Sequence, residues 1–322
     1  MNVNLILLFL FLGGIYNTTI AQNYKSIVPE NCTITRDQWG VPHVHGKTDA
    51  EAAYALAWAH SEDDFRNIQL NLITGRGRLA EVKGKDGALF DFALQFFRVD
   101  TLVEKRFLSD LSPEYRKMLN GYIQGVNAYA KNHPKEVLLK NILPFTELDA
   151  VKSFTLSLTL FAGGGMAFKA INDDMIDDFF APNEVGSNAI AIHKDRTEDA
   201  KNWLLVNSHQ PLDGPFAWYE AHIQSDEGWN ILGGVFPGAA TIFVGVNENL
   251  GWAHTNNYHA FGDIYELKVN PYNKGFYFYD NEWIPFKKRK AKIKVKIARI
   301  KIPIQKEILE SYPLESLSLV GS

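Results

Sequence analysis

An α+β fold, helical in its first half and strand-rich in its second, is what this sequence predicts. Three observations lead there. Apolar residues recur at helical spacing between Asp49 and Phe161, and they alternate with a period of two from Ser187 onward. The switch falls on a Gly186-Ser187 dipeptide in mid-chain. The 322 residues, 46% hydrophobic and 22% charged with a net charge of -4, suffice for one large core or two smaller ones.

Residues 1–21 are expected to stand apart from the fold as an export signal. Leu5 to Leu12 is an apolar run too short to span a bilayer, and it leads to Thr19-Ile20-Ala21, with small residues where a signal peptidase reads. The bland alternative is a buried strand. Export implies a periplasmic or secreted protein and a mature chain starting near Gln22. One cysteine, Cys32, allows no internal disulfide, so packing must supply the stability.

Residues 32–46 read as strand material. Asp49 opens an alanine-rich helix through Ala50, Ala53, Ala57 and His60, which Glu62-Asp63-Asp64 interrupts before it resumes at Phe65, Ile68 and Leu72. Gly75-Arg76-Gly77-Arg78 stops it, and the lack of a Lys-Ser/Thr pair excludes a phosphate loop. Pro113 marks the first turn of a second helix that runs through Tyr129 and ends before Pro134. A third spans Glu147 to Phe161. Gly163-Gly164-Gly165 and the acidic stretch to Pro182 then form a linker near 163–186.

Asn188 to Ile192 and Trp203 to Val206 are strands joined by the polar stretch His193 to Asn202. If Ile192 faces Trp203, Ser187 faces Ser208 and His209 is the neighbour of that partner. A second hairpin pairs Ala240–Val246 with Trp252–Asn256, bringing N–H groups of Asn256 towards the same end. A serine hydroxyl is a poor nucleophile without a base. Cleavage of the Gly186-Ser187 bond would give this serine a free α-amine of ordinary pKa about 7.7–8.0, suited to proton transfer near neutrality. Gly186 permits the backbone that lets Oγ reach the preceding carbonyl. An N–H at Asn256 would stabilise an oxyanion, worth roughly 3–4 kcal/mol per donor. The competing reading is a Gly-Ser loop with His209 as a polar rim residue.

Lys287 to Lys306 holds ten Lys or Arg and no acid, leaving the rest of the chain at -14. Lys292 to Ile297 alternates lysine with Ile or Val, the pattern of a solvated strand face or a lysine-guarded edge. Nucleic-acid binding is disfavoured, because neither a groove-reading helix nor an aromatic platform accompanies the lysines.

At these residues the chain resembles the penicillin acylase family, N-terminal-nucleophile hydrolases cut from one precursor into α and β chains. The resemblance is carried by Gly40-Val41-Pro42-His43-Val44, Gly75 to Glu81, Gly121 to Tyr129 and Gly186-Ser187-Asn188-Ala189. It continues through Asn207-Ser208-His209, Phe236-Pro237-Gly238, Gly251 to Thr255 and Asp263-Ile264-Tyr265. It implies an αββα sandwich, present in part, with a mainly helical α-chain region at 22–186 and a β-chain region at 187–322. Ser187 is then the processed nucleophile, Gly186 and Ser187 the self-cleavage pair, and His209 the catalytic histidine typical of the acyl-homoserine lactone and aculeacin acylase branches. Asn256 corresponds to the oxyanion residue. Asp263 matches a position that binds structural calcium in some members; no cofactor is otherwise required.

The implied reaction is hydrolysis of a non-peptide amide of a small N-acyl compound through an acyl-enzyme. The α and β chains are expected to stay associated, with no nucleic-acid partner and no membrane contact once the signal is removed. Family β chains run well past residue 322 and supply an asparagine side chain to the oxyanion hole, so a C-terminally truncated, catalytically dead fragment is the alternative. A metal-dependent hydrolase using His209, His222, His254 and His259 is a distant third, since no His-Glu-x-x-His helix is present. Phe161, Phe168, Trp218 and Phe236 suit an acyl pocket and suit a core equally well.

Overall fold

The computed structural model describes residues 24–161, 186–255, 267–298 and 300–311, with the backbone of 317–318. Strands β1 (Cys32–Arg36) and β2 (Pro42–Gly46) precede helices α1 (Asp49–Gly75), α2 (Ala80–Lys83), α3 (Lys85–Phe96), α4 (Val99–Asp110), α5 (Pro113–Asn132) and α6 (Glu147–Thr159). Strands β3 (Ser187–Ile192), β4 (Trp203–Ser208), β5 (Tyr219–Ser225), β6 (Asn230–Val235), β7 (Val244–Val246) and β8 (Gly251–Trp252) follow. The short hairpin β9 (Phe276–Tyr279) and β10 (Glu282–Pro285) leads to the long one, β11 (Lys287–Ile297) and β12 (Ile300–Glu310). The expected α+β order, helices first and strands after, therefore holds.

Helix α1 starts where Thr48 and Glu51 cap each other, the Thr48 side chain accepting from Glu51 N and the Glu51 carboxylate from Thr48 N. Its acidic interruption is a kink at Asp64 (φ -149°, ψ 52°). The Asp64 carboxylate accepts from the backbone and side-chain N–H of Asn67, capping the helix that resumes. The alanines of α1 are buried because α5 lies directly on them. A Cβ at Gly121 would stand 2.1 Å from the Ala50 carbonyl oxygen, and one at Gly125 would stand 2.5 Å from that of Tyr54. Small residues on both helices let the backbones touch.

The main sheet has the order β1-β2-β5-β6-β7-β8. Its pivot is the parallel pair β2–β5, with His43 opposite His222 and Gly46 opposite Ser225. Val44, Ala221, Ile223 and Val235 point from this sheet into the core shared with α1 and α5. The other face carries His43, His45 and His222 and is partly exposed. One helix layer and one sheet layer of the expected sandwich are thus present among the described residues.

A second core lies between α3, α4, α6 and the β11–β12 hairpin, where Phe92, Phe96, Val103 and Leu156 meet Ala291, Ile293, Val295 and Ile308. Gln95 acts as a substitute strand rung there: its side chain accepts from Lys292 N and donates to Lys292 O, both at 2.9 Å.

Two expectations change. The strand expected at Ala240–Val246 is only Val244–Val246, because Pro237-Gly238 makes a turn (Gly238 φ +86°) and Ala240 and Ile242 enter the core. Its return strand covers Gly251–Trp252 rather than Trp252–Asn256. Residues 1–23, with the expected signal, lie outside the described residues.

Candidate active site

The two apolar runs around the serine form the antiparallel pair β3–β4 with the register the alternation dictates. Ile192 faces Trp203 and Ser187 faces Ser208. Gly186 and His209 continue the ladder: the His209 backbone N–H donates to the Gly186 carbonyl oxygen at 2.9 Å. The Ser187 hydroxyl donates to that same oxygen at 2.6 Å. The carbonyl that precedes the serine therefore accepts two hydrogen bonds, one from the hydroxyl best placed to attack it.

The imidazole of His209 goes elsewhere. Side chains alternate along a strand, so His209 shares a face with Asn207 and with its cross-strand partner Asn188, while Ser187 and Ser208 share the other. The amide nitrogens of Asn188 and Asn207 lie 3.2 and 3.3 Å from His209 Nε2. The backbone of His209 meets the serine as spacing predicts; its ring does not.

The loop after His209 is fastened to α1. Asn67 Nδ2 donates to Asp213 Oδ1 at 3.1 Å, and Asn71 Nδ2 donates to the carbonyls of Pro215 and Pro237. Both asparagines lie in the part of α1 that the Asp64 kink redirects. These anchors were not read from the sequence, where Asn67 and Asn71 look like ordinary polar helix positions.

The second hairpin reaches the first through a glycine. A Cβ at Gly251 would stand 2.7 Å from Leu204 Cδ2, so β8 packs on β4. Trp252 Nε1 donates to the Phe243 carbonyl, and Phe243 lies against the His254 ring at 4.8 Å. Phe161, Trp218 and Phe236 of the expected pocket set belong to one aromatic cluster. Trp218 stacks on Phe236 at 4.0 Å, and Phe216 joins Phe161 to Phe236. Trp218 Nε1 is buried with no partner among the described residues. Phe168, Asn256, His259 and Asp263 lie outside the described residues.

The remaining histidines do not assemble. His222 Nδ1 is 2.8 Å from His43 Nδ1 and its Nε2 meets Asn230, whereas His209 and His254 have the other neighbours described above. Among the described residues no group of three His, Cys, Asp or Glu is placed to hold a metal ion. The histidine-metal reading thus has no geometric basis there. No helix of the described residues is long and apolar enough to cross a membrane.

Comparison with known proteins gives concordant matches. A family model described as penicillin amidase matches residues 31–308. The acyl-homoserine lactone acylase PvdQ of Pseudomonas fluorescens (strain Pf0-1) is 23% identical across 90% of this chain and 41% of its own length. Penicillin acylase 2 proenzyme of Pseudomonas sp. (strain SE83) is 31% identical over 30% of this chain and 12% of its own. A thermostable penicillin G acylase from Alcaligenes faecalis overlaps 47% of this chain and 85% of its own at 20% identity, with a TM-score of 0.35. This chain spans about two fifths of the length of the acyl-homoserine lactone acylases it matches.

Proposed function

The chain belongs to the penicillin amidase family, and from that premise we propose that it is a self-processing amidohydrolase of N-acyl compounds whose nucleophile is Ser187. One observation carries the proposal: the Gly186 carbonyl oxygen accepts from both Ser187 Oγ and His209 N. In processing, Oγ attacks the Gly186 carbonyl carbon, and its proton passes to the departing amide nitrogen of residue 187. The oxyanion forms on the oxygen already held by the His209 N–H. Collapse breaks the C–N bond and leaves an ester, which water hydrolyses to a Gly186 carboxylate and a free Ser187 hydroxyl.

The liberated α-amine is then the base on the nucleophile's own residue. It takes the proton from Oγ as Oγ attacks a substrate amide, and returns it to the leaving amine. Water releases the carboxylic acid from the acyl-serine. Asn256 is proposed as a backbone oxyanion donor. The cluster of Phe161, Phe216, Trp218 and Phe236 suits an apolar acyl group. Structural calcium at Asp263 and export to the periplasm or beyond belong to the same proposal.

Treatment with an activated N-acyl ester tests the enzyme. An acyl mass is expected on the polypeptide that begins at Ser187 and nowhere else. Cleavage without an adduct would leave processing standing and overturn the amidohydrolase. His209→Ala keeps the backbone N–H that holds the Gly186 carbonyl oxygen, so processing should persist in this variant; an uncleaved but folded His209→Ala chain would count against the part assigned to that N–H.

A further inference from the structure

The β11–β12 hairpin carries chemistry that neither the core nor the proposed catalytic site uses. Lys292, Lys294 and Lys296 stand on one face of β11, all exposed and without an ion pair among the described residues. Their neighbours Ile293 and Val295 are buried against the helices, so the lysines are held in a fixed row. At the turn the apolar face runs out of cover: Ile297 is 51% exposed and Ile300 is 62% exposed.

The tip is anchored rather than loose. Lys301 pairs with the Glu81 carboxylate of α2, and a Cβ at Gly84 would stand 3.0 Å from the Lys296 carbonyl oxygen. That contact brings the exposed Lys83 and Lys85, which flank Gly84, to the same end of the molecule, with the exposed acids Asp86 and, near Lys83, Asp213 beside them. Elsewhere the chain is strongly acidic, so this end is a local inversion of its charge.

We propose that the tip of the β11–β12 hairpin docks on an anionic lipid surface. Ile297 and Ile300 enter the headgroup region, and Lys292, Lys294 and Lys296, with Lys83 and Lys85, contact the phosphates. Lysine stems can lie along the apolar boundary while their ammonium groups reach outward, which reconciles lysines and isoleucines on opposite ribbon faces with one tip-first approach. Polyanionic nucleic acid would use the lysines but offers nothing to the isoleucines, and no aromatic platform accompanies them.

Co-sedimentation of the full chain with phosphatidylcholine vesicles containing roughly a third phosphatidylglycerol tests this. Binding is expected to anionic vesicles and not to phosphatidylcholine alone, and to weaken steeply with salt. Each lysine is worth roughly fivefold, so the triple variant Lys292→Gln/Lys294→Gln/Lys296→Gln should bind on the order of a hundredfold more weakly. Ile297→Ser/Ile300→Ser should cost about tenfold or more. All five positions are exposed, and an unchanged melting temperature verifies each fold. No binding to anionic vesicles, or binding unaffected by either variant, overturns the proposal. So does binding of duplex DNA that matches vesicle binding and depends on the lysines alone.

Discussion

His60 is a titratable group that the fold holds in the wrong state for acid. It lies wholly inside α1, its ring stacked on Tyr219 at 3.9 Å and its Nδ1 without a partner among the described residues. Burial drives its pKa down to about 3 from an ordinary 6.5, outweighing the nearby Asp63. The folded state therefore keeps the ring neutral where the unfolded chain protonates it. Stability is full above about 6.5 and falls by about 1.4 kcal/mol per pH unit as pH drops towards 3. Buried Asp91, pushed up to about 7 by desolvation, acts in the opposite sense, stabilising at low pH and less so as pH rises through 7. The difference between wild type and His60→Phe isolates the histidine. Urea unfolding across that range should show the variant, which keeps the stacked ring, losing less stability in acid. Parallel pH slopes would contradict the burial. At the same scale, Ser187→Ala should abolish cleavage while leaving the melting temperature within a degree or two, since the side chain is half-exposed and its hydrogen bond goes to the adjacent Gly186 carbonyl. The register of this serine was legible because alternation fixes cross-strand partners. The direction of the His209 ring was equally fixed by alternation, yet proximity in sequence suggested contact with the serine.

Helix α5 shows what an element owes to two missing Cβ atoms. Its glycines sit on the α1 backbone, so Gly121→Ala must push the two helices apart. A loss of at least about 1–3 kcal/mol is expected, read as a lower melting temperature. Gly40→Ser, whose Cβ would meet nothing, serves as a comparison limited to its positive φ. The Gly75–Glu81 motif proves structural as well. Arg76 clamps Asp149 at the start of α6 together with the carbonyls of Ile142 and Pro144, and Arg78 with Lys301 holds the Glu81 carboxyl down to about 2. Helices α1, α5 and α6 were legible from periodicity and caps. Helices α2 to α4 were not, because Gly84 and Gly87 break the pattern and α3 buries its face on a hairpin about 200 residues away in sequence. Strands β5 and β6 escaped for a similar reason: the glycines at 233 and 234 dilute the β signal, and they are there because Val244 and Trp218 crowd them too closely for a side chain.

Across the whole molecule, the segments before and after Ser187 are woven together. The parallel pair β2–β5, the Asn67 and Asn71 anchors and the core shared by α1 with Ala221, Ile223 and Val235 all join residues from both sides. Cleavage at residue 186 should therefore leave one particle. Two polypeptides are expected to co-elute in native buffer and separate only in denaturant; separation in native buffer would contradict the shared core. None of this crossing was legible in the sequence, since parallel pairing between residues 179 apart leaves no local signature.

Intact-mass measurement of the purified, folded chain after prolonged incubation bears most directly on the central claim. Two species are expected, the second beginning Ser-Asn-Ala-Ile at residue 187, with the single-chain mass persisting in Ser187→Ala. A folded wild-type chain that keeps its Gly186-Ser187 bond would contradict it.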